Sequence, residues 1–144
     1  MNIIINNQKI ITNSQIYRIL KLTKFKDFDK TKLIVLEKKV DIFQAKKSIY
    51  YINFLQTYNC EGVYSQYYDF IIVKLYNLEG NAEDKRLYGI GVLLHELKHR
   101  DDLMINGNTN EISADIYAKK FLNNNSSVIK DILKLKDEWE IEDF

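Results

Sequence analysis

The stretch Gly91–Arg100, GVLLHELKHR, constrains the fold more than any other. It holds the chain's only two histidines, His95 and His99, four residues apart, with Glu96 directly after the first. On an α-helix, residues at that spacing lie one turn above the other and project side by side. Two ring nitrogens can then reach one tetrahedral ion at about 2.0–2.1 Å. A fold that uses the pair this way needs a helix here, a third protein donor and an open position for water. Glu96 is rotated by about 100° from His95. It need not bind the ion and can instead take a proton from the ion's water. The plainer use of the same residues is two histidines on an exposed turn.

Written out, the arrangement is His-Glu-Leu-Lys-His, the HExxH pattern of zinc peptidases. The surrounding pattern is helical to about Asp102: Leu87, Ile90, Leu94 and Leu97 form an apolar stripe, and Gly91, His95, His99 and Asp102 a line offset from it. Asn81 is a candidate N-cap, with Glu83 and Asp84 in the first turn where the helix dipole favours acids. Gly91 has two readings, an open metal side or close helix packing. Downstream, NEISADIYAKKFL places Glu111 and Asp115 four apart on a second helix face, Asn110 to Asn123. One carboxylate can complete the metal shell, and the other can accept the free N–H of a ligating histidine. The bland alternative is a solvated helix with two acids. Eleven residues separate His99 from Glu111, enough for the second helix to return antiparallel across the ~10 Å between packed helices.

The rest of the chain reads as one α+β domain of 144 residues, with no proline and 46% apolar residues. Three portions are expected: a helical and strand portion over 1–60, a zinc-site core over 61–125, and a C-terminal helix with an acidic tail over 126–144. Ser14 to Lys24 has helical spacing, KLIVL (Lys32 to Leu36) is β-prone, and Asp41 to Thr57 is ambiguous with a lean to helix. YYDFIIVKLY alternates with a two-residue period, Ile71, Val73 and Leu75 on one side and Phe70, Ile72, Lys74 and Tyr76 on the other. Ile112, Tyr117, Ala118, Phe121 and Leu122 should mostly pack inward from the second helix, and a last helix should run from Ser127 to about Trp139.

Net charge is +1 with 28% charged residues, which argues for a soluble globular protein rather than a disordered chain. Ten Lys or Arg lie within residues 18–47 against four acids, and six acids lie in the last fourteen residues against Lys134 and Lys136. Solvated faces are the ordinary meaning of such runs. No recognised nucleic-acid motif accompanies the basic stretch, so nucleic acid is not expected as a partner. No apolar run reaches the ~18–20 residues of a membrane span, and no secretory signal is expected. A single cysteine, Cys60, suits a reducing cytoplasm.

With HELKH followed by NEISADIYA, the chain resembles the gluzincins, the thermolysin-like class with HExxH and a glutamate ligand. The fuller pattern E-x-x-A-D, then an aromatic, Ala and KKFL, is most similar to the small ImmA/IrrE-like metallopeptidases, over roughly Tyr67 to Leu122. The resemblance implies a minimal zincin-like fold, a small mixed or antiparallel sheet packed on an active-site helix and a glutamate helix. It implies Zn²⁺ held by His95, His99 and Glu111, Glu96 as general base and Asp115 as partner of a ligand histidine. The implied activity is endopeptidase cleavage of a protein target, such as a repressor-type regulator of a phage or other mobile element. The alternative is a non-catalytic interaction protein that keeps a zinc site on a peptidase scaffold. Departures from the pattern are a short loop between His99 and Glu111, and Lys98 where a small residue is common. Tyr88 and Arg100 are nearby candidates for stabilising an oxyanion. The strand Tyr68 to Tyr76 could pair with an extended substrate along a free edge. The acidic tail could cover the cleft.

Overall fold

A computed structural model describes residues 1–43, 60–139 and 141. Among them a four-stranded mixed sheet carries helices on one face. The strands are β1 (Asn2–Ile5), β2 (Lys32–Leu36), β3 (Gly62–Ser65) and β4 (Phe70–Lys74), in spatial order β1-β2-β4-β3. β1, β2 and β4 run parallel, with Lys32 opposite Phe70 and Val35 opposite Val73; β3 adds antiparallel to β4, with Tyr64 opposite Ile71. The α-helices are α1 (Asn13–Leu20), α2 (Ala82–Asn106), α3 (Glu111–Asn124) and α4 (Ser126–Leu133), and a 3₁₀ turn spans Leu75–Asn77.

The two faces of the sheet divide as the period of β4 requires. Leu33, Val35, Ile71 and Val73 join Ile16 and Ile19 of α1, Leu87, Ile90, Leu94 and Leu97 of α2, and Ile129 and Ile132 of α4 in the main core. Ile34, Leu36, Phe70 and Ile72 face the other way and are buried with Ile5 and Ile42. β2 and β4 are therefore buried on both faces, as parallel central strands are.

The polar residues at its ends set the length of α2. Asn81 and Asp84 cap each other: the Asn81 side chain accepts the Asp84 N–H at 3.0 Å, and the Asp84 carboxylate accepts the Asn81 N–H at 3.0 Å. This is a capping box with asparagine and aspartate in the usual roles. The far end stops at Gly107, whose φ of 75° is left-handed and costs glycine nothing. The helix thus runs four residues beyond the expected Asp102.

Other boundaries shift for local reasons. α1 starts at Asn13 behind a Thr12–Gln15 capping box. It ends at Leu20, not Lys24, because the Thr23 hydroxyl donates to the Leu20 carbonyl at 2.7 Å. The expected strand Tyr68–Tyr76 shortens to Phe70–Lys74, bounded by Asp69 at φ 49° and the 3₁₀ turn. It has no free edge, since β2 and β3 flank it. α4 ends at Leu133, not Trp139, because Lys134 turns left-handed at φ 55°. Ile112 is 69% exposed rather than packed inward. β1 and β3 are strands the sequence pattern did not reveal. The ambiguous segment Asp41–Thr57 lies beyond residue 43 outside the described residues. Among those described, no helix is long and apolar enough to cross a membrane.

Candidate metal centre

His95 and His99 sit mid-way along α2, where the helix passes between the sheet and α3. Their side chains are only 15% and 10% exposed, so packing holds both rings. The rings meet edge to face, centroids 4.5 Å apart at 82°, with the two Nε2 atoms 2.9 Å apart. Asn110 caps α3, its side chain accepting the Ser113 N–H at 2.7 Å, and this starts the helix so that Glu111 stands over the rings. One Glu111 oxygen lies 3.0 Å from His95 Nε2 and the other 3.0 Å from His99 Nε2. His95, His99 and Glu111 thus form a possible metal-binding triad.

The donor set fits a cation. Ligand atoms around a tetrahedral zinc at 2.0–2.1 Å stand about 3.3 Å apart, close to the separations here. The outer nitrogens are also engaged. His95 Nδ1 lies 2.8 Å from an Asp115 oxygen, which fixes the proton on Nδ1 and leaves Nε2 a lone pair. His99 Nδ1 faces the Thr109 hydroxyl at 2.7 Å, and with its proton there Nε2 again presents a lone pair. Burial and then the neighbouring His95 lower the His99 pKa, against the pull of Glu111, so the ring favours the neutral form that ligates. Two lone pairs and a carboxylate then converge on one point, an arrangement that a cation relieves.

Glu96 is only 7% exposed and lines the same cleft as His95 and Glu111. Burial is the main reason its pKa rises to about 7; the Glu111 charge adds to this, while His95 and a hydrogen bond from the Tyr64 backbone oppose it. A carboxyl poised near neutrality can both accept and return a proton. A cation bound at the triad would draw its pKa down.

The structure brings all five expected residues together: His95, His99 and Glu111 as the triad, Asp115 behind His95, and Glu96 beside them. Lys98 is no obstruction, since its ammonium turns to Asp102 at 2.7 Å. A Cβ on Gly91 would lie 3.3 Å from Leu122 Cδ1, and the residue also lines the cleft, so both readings of that glycine hold. Arg100 is not available to an oxyanion. It is buried, donates to the Lys26 and Asp27 carbonyls and pairs with Asp69 at 3.5 Å. Tyr88 lines the cleft but stands seven residues before His95, about 10 Å along the helix.

Two site residues escaped sequence reasoning. Thr109 lies in the inter-helix loop, where nothing in the pattern singles out a hydroxyl. Gly62 lets β3 press on α2: a Cβ there would meet Val92 Cγ1 at 2.4 Å and Glu96 Oε1 at 3.2 Å. A glycine opening a β-branched and aromatic run was the one available signal. The cleft between β3 and α3 has a volume of about 900 Å³. Comparison with known proteins finds no matching family model, no matching curated protein and no matching solved structure.

Proposed function

We propose that the protein is a zinc-dependent endopeptidase of the gluzincin type, acting in a reducing cytoplasm on a protein target such as a repressor-type regulator of a mobile element. The observation that carries this reading is the convergence of His95, His99 and Glu111 on one point, with Glu96 in the same cleft. The small mixed sheet beside the two helices that carry them supports a zincin-like reading of the fold.

Zinc held by the triad would supply a Lewis acid and a water of lowered pKa. The chain's own contributions follow from the geometry. Asp115 and Thr109 hold the two imidazoles in the ligating tautomer. Glu96 accepts a proton from water and returns it to the leaving nitrogen. β3 lies at the sheet edge along the cleft, so it takes over from β4 as the strand that would pair with an extended substrate.

The test compares wild type with Glu96→Gln after zinc loading, on candidate repressor proteins. Wild type should cleave and the variant should lose about 10²–10⁴-fold in rate while still binding one zinc. Equal cleavage by both would remove Glu96 from the chemistry. The second reading, a non-catalytic interaction protein on the same scaffold, gains support from Arg100 being committed elsewhere and Tyr88 standing far from the triad. Regulation in cells that survives Glu96→Gln would favour it.

A further inference from the structure

The cleft is longer than the metal centre needs, and its far wall is built by a segment outside the motif. Ile141 lines it together with Leu78, Tyr88 and Leu122. Ile141 is held there by Asn123 of α3: the Asn123 amide donates to the Ile141 carbonyl at 2.7 Å and its oxygen accepts the Ile141 N–H at 3.0 Å. Two residues earlier, Trp139 is half-buried against the main core. A single side chain thus satisfies both backbone groups of one residue, which fixes Ile141 in the way a neighbouring strand would.

We propose that Ile141, seated by Asn123, forms a distal substrate subsite and is a specificity-determining wall that selects a bulky apolar side chain. The proposal rests on the peptidase reading above. Asn123 stands twelve residues after Glu111, about 18 Å along α3, and Tyr88 lies about 10 Å from His95 on α2. An extended peptide advances about 3.3 Å per residue. The subsite therefore meets residues about three to five positions from the cleaved bond. With Ile141 seated, the cleft keeps its 900 Å³, within the range of ligand-filled pockets. Among the described residues, Ile141 stands as a wall beside the cleft. The apolar side chains of Leu78, Leu122 and Ile141 on the lining favour an aliphatic or aromatic occupant over a charged one.

The experiment digests a library of proteome-derived peptides with zinc-loaded wild type, Ile141→Ala, Ile141→Glu and Asn123→Ala, and tabulates residue preference at each position around the cut. In parallel, the same peptides are titrated into zinc-loaded Glu96→Gln while emission from Trp139, the chain's only tryptophan, is followed. Wild type should prefer apolar residues about three to five positions from the cut by several-fold. Ile141→Ala and Asn123→Ala should flatten that preference, and Ile141→Glu should turn it toward Lys and Arg, with the preferences next to the cut unchanged. Cleavage with a distal profile indifferent to Ile141 and Asn123 overturns the wall and leaves the peptidase standing. Peptide-dependent Trp139 emission without any cleavage supports the wall and removes the peptidase. Neither cleavage nor an emission change overturns both.

Discussion

The two helices that make the metal centre are held very differently. α2 buries ten of its 25 residues, including Glu96 and His99, while α3 buries three of 14, Ala114, Ala118 and Leu122. The contrast is sharpest at the ligands: the histidine side chains are 15% and 10% exposed and Glu111 is 77% exposed. The imidazole half of the site is thus set by the core, whereas the carboxylate half depends on the Asn110 cap and a short apolar seam. An ion bound at the triad would join a rigid half to a lightly held one.

Removing a donor should give the largest effect. A four-donor zinc site is worth about 10–16 kcal/mol, so each donor accounts for about 2.5–4 kcal/mol, roughly 70- to 900-fold in affinity. His99→Ala should lose at least that much by competition with a chromogenic chelator. Glu111→Ala should lose less, because water can take the place of an exposed carboxylate; equal losses would break the comparison between the halves. Next come the groups behind the rings. Asp115→Asn and Thr109→Val should each weaken zinc binding about 10–100-fold, with the fold unchanged by circular dichroism.

A smaller effect comes from Glu96 in metal-free protein. Its pKa is raised from 4.5 to about 7, so the folded chain holds a proton that the unfolded chain has released in between. That contribution is full below about pH 4.5 and is lost as pH rises through 7. Glu96→Gln should therefore match wild type in urea denaturation near pH 4.5 and exceed it by about 3 kcal/mol at pH 8. No difference at pH 8 would mean that the carboxylate is better solvated than its burial implies. The smallest effect is in motion. Removing the ion should speed hydrogen exchange severalfold at amides 111–115 and leave 94–100 unchanged; equal loosening of both would dissolve the contrast.

What could be read beforehand follows the same division. α2 was legible because its information is local: a stripe from Leu87 to Leu97, a cap at Asn81 and two histidines one turn apart. β4 was legible from its alternation, and Glu111 and Asp115 from their spacing. β1 was not, since three consecutive isoleucines show no alternation and the strand forms by pairing with residues about thirty positions away. β3 is four half-buried residues, too short for any period to emerge. Thr109 acts through a single hydroxyl in a loop, a role only the fold can assign. The end of α4 was misplaced because apolar residues continue past Lys134, whose left-handed turn is unusual for a lysine.

The strand order has a practical consequence. β2 lies between β1 and β4, and Gln15 of α1 donates to the Ile132 carbonyl of α4 at 3.1 Å, behind the helix that carries Glu111. The first forty residues hold none of the triad, yet β2 lies inside the sheet whose β3 and β4 support α2, and α1 packs on α4. Excising residues 61–125 would keep His95, Glu96, His99, Glu111 and Asp115 and abandon the scaffold that aligns them.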